Sequence, residues 1–289
     1  MDYSRGYLRL LTLTSLAMLA FAGNSLLCRL ALKHTGIDPA SFTAIRLLSG
    51  ALMLWLMITL KRGVGVHTLA KPRGGNWLSA FALFVYAAGF SFAYVRLPAA
   101  TGALLLFGAV QATMIGHGMW TGERFSQWQW AGLVLAFCGL LSLLLPGLSA
   151  PPLLDSALML MAGLAWGIYS LRGKGAGDPT LVTAGNFLRA VPMALVLSLL
   201  MLSKLAIDVQ GLEYALASGA LASGMGYAIW YTALPGLKAT QAATVQLSVP
   251  VLAAMGGIVF LDELLTLRLI LASLAILGGI ALVIWERRH

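Results

Sequence analysis

The chain has 289 residues, 60% of them apolar and only 10% charged, against roughly 25% charged in soluble domains, which excludes an ordinary water-soluble globule. At about 20 apolar residues per spanning helix, ten spans take about 200 residues and leave about 89 for loops, so no sizeable aqueous domain fits. The net charge of +9 is spread along the chain rather than packed into a dense patch, so it reads as a membrane-insertion signal and not as a nucleic-acid surface.

Long apolar runs broken by Gly, Pro and charge mark ten segments, at about 8–32, 40–60, 76–96, 98–120, 127–146, 153–172, 180–202, 211–233, 238–260 and 264–285. Ten is even, so both termini lie on one side. The loops of that side carry Arg5, Arg9, Lys61, Arg62, Lys71, Arg73, Arg124, Arg172, Lys174, Lys238, Arg287 and Arg288, against Arg29, Lys33, Arg96, Lys204 and Arg268 on the other. Positive charge is retained on the cytoplasmic face, so both termini are predicted to be cytoplasmic. Arg5 and Arg9 ahead of an apolar run with Ala20-Phe21-Ala22 imitate a secretory signal, but more membrane follows rather than a secreted domain, and the segment is read as the first span. Cys28 and Cys138 sit in apolar runs and read as small buried hydrophobes. With four His and no Cys-His cluster, no metal or cofactor site is expected.

The two halves repeat one another at an offset of about 140 residues. Asp38-Pro39 with Thr43-Ala44 and Leu48 recurs as Asp178-Pro179 with Thr183-Ala184 and Leu188. Tyr94, Leu97-Pro98 and Ala100-Thr101-x-Ala103 recur as Tyr231, Leu234-Pro235 and Ala239-Thr240-x-Ala242, and an acid closes the fourth helix of each half, Glu123 in one and Asp262-Glu263 in the other. Five spans per half is odd, so the second half enters the bilayer opposite to the first, an inverted repeat. The join falls at Pro146-Gly147-Leu148-Ser149-Ala150-Pro151-Pro152, giving halves 1–148 and 149–289. Asp38, Asp178, Glu123 and Glu263 are expected to cap helix starts. Pro98 and Pro235 are expected to open spans four and nine, and Gly163-x-x-x-Gly167 and Gly118-x-x-x-Gly122 to offer grooves for close helix approach.

The segment AFAGNSLLCRLAL around Asn24, then Asp38-Pro39 and Thr43-Ala44-Ile45-Arg46, with the acids Glu123 and Glu263 ahead of spans five and ten, resembles the drug/metabolite transporter superfamily. More narrowly, the chain resembles the ten-helix EamA-type exporters over essentially its whole length. The resemblance implies two inverted five-helix repeats around a central cavity, export from the cytoplasm, and a bacterial inner (cytoplasmic) membrane. Among these exporters the chain is most similar to those of aromatic amino acids. Phe21 stands where members often carry Trp ahead of the first-helix Gly, whereas the second half has Trp166-Gly167.

Polar and aromatic side chains near span centres are costly facing lipid and are the candidates for a pathway lining. They are Asn24, Tyr86, Gln111, Trp166, Tyr169, Asn186, Ser223, Tyr227 and Gln246. Each amide serves equally well as an interhelical hydrogen-bonding group, and each ring as core packing. Trp166 and Tyr169 are spaced i, i+3, and Tyr227, Trp230 and Tyr231 i, i+3, i+4, so each set makes a stripe along one helix face. Trp230 and Tyr231, near a span end, are expected in the interfacial belt. Rings at mid-depth can stack on a planar, largely apolar substrate.

Pro192 and Pro250, inside spans seven and nine, each remove a helix hydrogen bond and are expected to kink and gate. Arg46 and Arg189 are expensive in hydrocarbon unless paired or snorkelling. One of them can hold an α-carboxylate; Arg46 sits near enough to an end to reach the interface, and Arg189 is the more unusual. None of the ten acids falls mid-span, and His117 is the one His within a span, so proton coupling through a carboxylate is not expected.

An intramembrane enzyme is disfavoured. Ser223-Gly224 has Leu221 where a Gly-x-Ser-Gly motif needs Gly, the second half has no His but His289, and no His-Glu-x-x-His, paired aspartates or P-loop is present. A channel would need rings of charge or carbonyls. The expectation is an all-α membrane protein of ten transmembrane helices, two inverted five-helix repeats around a central cavity, that is not an enzyme. It exports small metabolites, aromatic or other apolar amino acids foremost, by alternating access, with drugs, nucleosides or other metabolites as the alternative. Substrate contact is assigned to Trp166, Tyr86, Tyr169, Asn24, Gln246, Tyr227, Gln111 and Ser223. The expected partners are an amino acid-like small molecule and the lipid bilayer, with no nucleic acid, and a monomer is the expected form.

Overall fold

A computed structural model describes residues 2–62, 74–122, 124–145, 150–173, 177–237 and 245–286. All regular structure among them is helical: α1 (Asp2–His34), α2 (Pro39–Arg62), α3 (Trp77–Tyr94), α4 (Ala99–Trp120), α5 (Gln127–Leu144), α6 (Leu153–Gly173), α7 (Pro179–Leu200), α8 (Val209–Ala217), a π-helical turn (Ser218–Met225), α9 (Gly226–Ala233), α10 (Ser248–Leu261) and α11 (Leu267–Glu286). Eight of these helices are each long and apolar enough to cross a membrane. α8, the π turn and α9 run end to end as one more span, and the shorter apolar α10 completes ten.

Local chemistry sets the helix ends. Asp38 Oδ1 accepts from the Ala40 and Ser41 N–H groups at 2.9 and 3.0 Å, and Asp178 Oδ1 from those of Thr180 and Leu181, so both acids satisfy donors that a helix start leaves open. Ser126 and Gln129 bond each other's backbone in a capping box at the start of α5. Pro98 is the residue that precedes α4. Pro235 does not open the ninth span: it lies in a 3-10 turn, Leu234–Gly236, that closes the eighth, where a fixed φ suits a tight turn as well as it suits a helix start. Glu123, most of the join at 146–149, and Ala239, Thr240 and Ala242 fall outside the described residues.

The largest helix contacts map onto themselves when the halves are exchanged. α1 packs on the π turn, α9 and α10, just as α6 packs on α3 and α4. The contact of α2 with the π turn has its counterpart in α7 on α3, and α2–α7, α4–α10 and α5–α11 pair equivalent helices. This is a pseudo-two-fold arrangement of two inverted five-span repeats.

Small residues allow the close crossings. A Cβ on Gly163 would lie 2.6 Å from Ala109 Cβ and one on Gly167 2.7 Å from Thr113 Cβ, so this pair seats α6 on α4. Gly118-x-x-x-Gly122 is not such a groove: Gly122 lies beyond α4 in a turn, with no atom within 4 Å of the place of a Cβ. The α5–α11 pair crosses instead at Gly132, where a Cβ would sit 2.6 Å from the Gly279 carbonyl oxygen.

The outer surface is studded with exposed Leu, Val and Ile, as a chain solvated by lipid tails requires. Trp77, Trp120, Trp128 and Trp130 stand exposed at the ends of α3, α4 and α5 that share a side with the termini, forming part of an interfacial belt there.

Candidate functional site

Tyr86, near the middle of the 18-residue α3, is the hub of a buried polar cluster. Its hydroxyl accepts from Arg46 Nη2 at 2.9 Å and Asn24 Nδ2 at 3.2 Å, and lies 3.4 Å from the Tyr227 hydroxyl, with which it shares a third hydrogen bond. Arg46 Nε donates to Ser223 Oγ at 3.2 Å, and Ser218 Oγ donates to Asn24 Oδ1 at 2.7 Å. These bonds join α1, α2 and α3 of one half to the eighth span of the other.

The π turn makes this possible. Bonding from i to i+5 widens the helix and brings Ser218 and Ser223 toward one face, facing α1 and α2. Gly219 lets the widened turn lie on α2, because a Cβ there would collide with Ser49 Oγ and the Arg46 carbonyl oxygen.

Rings close over the cluster. Trp166 of α6 lies 4.8 Å from the centroids of both Tyr86 and Tyr227 and stacks on Tyr169 at 5.4 Å with 29° between planes. Phe21 meets Tyr227 edge-on at 5.8 Å, and Phe90 lies 5.5 Å from Tyr86. Phe21, Tyr86, Phe90, Trp166 and Tyr227, with Asn24, Ser25, Leu106 and Phe107, line a cavity of about 10 Å³, room for one water. A larger cavity of about 260 Å³ lies at the end opposite the termini, bordered by Arg96, Thr101 and Glu263.

Among the residues singled out in the sequence, Asn24, Tyr86, Trp166 and Tyr227 line the central cavity, and Ser223 joins it through Arg46. Tyr169 lies behind Trp166, and its hydroxyl accepts from Asn186 Nδ2 at 3.5 Å. Gln111 is buried on α4 one turn beyond Phe107, and Gln246 is buried at the start of the ninth span; neither lines the cavity. Pro192 is exposed on the outer face of α7. Pro250 is the third residue of α10, just after the turn at Leu247 that separates α10 from helical residues 245–246, so it stands beside a break in the ninth span. Trp230 and Tyr231 are buried among the helices rather than in the belt, Trp230 lying 5.9 Å from Phe21, because their helix face points inward throughout. Phe90 and Phe107 escaped notice in the sequence, although Phe90 stands i+4 from Tyr86 on one face.

Arg46 is the larger surprise. It is 1% exposed and does not snorkel; its guanidinium carbon sits 5.1 Å from the Tyr86 ring centroid and 4.8 Å from that of Phe90. No acid pairs with it among the described residues, and its Nη1 has no hydrogen-bond partner. Cation–π contacts of this kind recover about 0.5–2 kcal/mol each, against an insertion cost of about 2.5–3.5 kcal/mol for a mid-membrane arginine. Arg189, by contrast, is spent at one end: its Nη1 donates to the carbonyls of Gly74 and Gly185, both at 2.9 Å.

Both ends of the assembly are tied. Opposite the termini, Asp262 adopts a left-handed φ of 51° that ends α10 and turns Glu263 inward. Glu263 then accepts from Arg29 Nε at 3.0 Å and from the Ala99 N–H at 2.7 Å, capping α4 rather than its own helix. Arg29 Nη1 also donates to the Tyr94 and Val95 carbonyls. On the termini side, Gly75, at a φ of 77° and with no room for a Cβ beside Asn186, presses the 74–76 segment onto α7. Asn186 Oδ1 accepts from the Asn76 N–H at 2.9 Å there, and Arg172 reaches Ser79 Oγ at 3.2 Å.

A model of the EamA-like transporter family matches residues 8–145 and again 155–285. The chain belongs to that family. This EamA-like transporter is 60% identical to an uncharacterized protein of Pseudomonas aeruginosa over 96% of both chains. It is 27% identical to an uncharacterized transporter of Archaeoglobus fulgidus, over 87% of this chain and 89% of the other. A threonine/homoserine exporter, RhtA, of Salmonella typhimurium shares 35% identity over 51% of each chain. A crystal structure of a protein 20% identical superposes at a TM-score of 0.66 over 95% of this EamA-like transporter and 99% of that chain, a likeness of fold alone.

Proposed function

We propose that this membrane transporter exports small apolar amino acids, aromatic ones foremost, from the cytoplasm by alternating access, with both termini cytoplasmic and the mid-depth cavity as its substrate site. The carrying observation is the enclosure of that cavity by Phe21, Tyr86, Phe90, Trp166 and Tyr227, from both halves of the chain, with Asn24 as a polar group beside them. A site between inverted halves opens to either side as they rock, and its rings offer about 0.5–1.5 kcal/mol per good aromatic pair to a flat side chain. The similarity of half the chain to a threonine/homoserine exporter supports an amino acid class. The basic residues gathered on the termini side support the orientation.

Counterflow of labelled phenylalanine, leucine, threonine, a nucleoside and a cationic dye in proteoliposomes tests the reading. Saturable flux of the apolar amino acids is expected, and flux confined to the dye or the nucleoside would overturn it. Trp166→Ala is expected to cut that flux severalfold while the protein stays folded in detergent; unchanged kinetics would remove Trp166 from the site.

A further inference from the structure

We infer that Arg46 makes the central site a receptor for the carboxylate of its substrate, so that aryl- and alkyl-carboxylate anions bind whether or not they carry an amino group. The inference rests on the mid-depth cavity being the substrate site. Arg46 is 1% exposed, held by Ser223 through Nε and by Tyr86 through Nη2, and stacked on Tyr86 and Phe90, two rings that line the cavity. These contacts fix the guanidinium plane and leave the Nη1 donors unused. A guanidinium fork is the protein group best matched to a carboxylate, which it meets with two parallel charge-assisted bonds.

The charge balance points the same way. The ion pairs among the described residues, Arg29–Glu263 and Arg96–Asp155, lie at the end opposite the termini, and no carboxylate side chain lines the cavity. A positive charge without a counter-charge in low dielectric attracts an anion and repels a cation, and among the described residues no acid pairs with Arg46 that could hold an ammonium. Its neighbours add apolar area instead. The complementary ligand therefore carries a carboxylate on a flat or branched hydrocarbon tail, admitted when the rings part.

Binding to purified full-length protein in detergent, read by tryptophan fluorescence and by calorimetry, tests this with three compounds of one shape: 3-phenylpropionate, 3-phenylpropanamide and phenethylamine. The acid is expected to bind more tightly than the amide by about tenfold or more, as loss of a charge-assisted bond implies, and the amine not at all. Arg46→Gln is expected to abolish that preference and Arg46→Lys to keep part of it. Because Arg46→Gln removes packing as well as charge, the wild-type ranking stands as a test by itself. Equal affinity for acid, amide and amine, no binding of the acid, or an Arg46→Gln variant that is folded and still prefers the acid would each overturn the inference. The amino acid reading fails separately: acid binding without flux of any amino acid would sink that reading and leave Arg46 as a carboxylate receptor.

Discussion

The two ends of the transporter are tied by different chemistry. Opposite the termini, a charged pair 9% exposed on each side, Arg29 with Glu263, gathers α1, the α3–α4 turn and the α10–α11 turn into one knot. On the termini side, the described ties are amides, a hydroxyl and backbone carbonyls: Asn76 with Asn186, Arg172 with Ser79, Arg189 with Gly74. A buried ion pair is costly to break by halves because the surviving charge is stranded, whereas no termini-side tie pairs two charges: the Asn76–Asn186 bond is neutral, and Arg172 and Arg189 meet neutral oxygens. If the halves rock as proposed, the end opposite the termini resists that motion more, and opening is expected to begin at the termini side.

Substitutions at the two ends test that contrast. Glu263→Ala strands Arg29 and uncaps α4, and a loss of about 3–5 kcal/mol is expected, read as a lower melting midpoint in detergent. Asn186→Ala leaves the Asn76 N–H without its acceptor and removes one partner of the Tyr169 hydroxyl, with an expected loss of about 1–3 kcal/mol by the same measurement. Arg172→Ala, exposed and bonded to neutral groups, is expected to change stability by less than about 0.5 kcal/mol. Equal losses for Glu263→Ala and Asn186→Ala would break the comparison. A cysteine cross-link survey in which the termini side opens first would sharpen it.

Much of the fold was legible because a bilayer leaves few options: each span must be long, apolar and helical. The repeated Asp-Pro and Leu-Pro pairs and the odd number of spans per half then imply inversion. The site was half legible. Asn24, Tyr86, Trp166 and Tyr227 stand out as polar or aromatic groups at mid-span, and they converge on one cavity. Gln111 and Gln246 carry the same signature and do not line it, since mid-depth alone does not say which way a side chain faces. Arg46 misleads for a related reason. Seven residues into α2, it is within snorkelling reach of the interface, and only its partners on α3 and the π turn hold it inward.

Ten spans in two related halves follow from the residue order alone, because hydropathy, charge bias and repeated motifs are properties of the chain. The residue order also placed the caps at Asp38 and Asp178, which depend on neighbours two and three residues away. Features that join distant parts of the chain arise only in the packed fold. It turned Glu263 from a cap of its own helix into a partner for Arg29 and Ala99, and Trp230 and Tyr231 from the belt into the core. It also widened the eighth span into a π turn and set behind the rings at mid-depth an arginine that no acid pairs with among the described residues. Each of these is a meeting of two halves more than a hundred residues apart, or a consequence of it, and no local pattern encodes such a meeting.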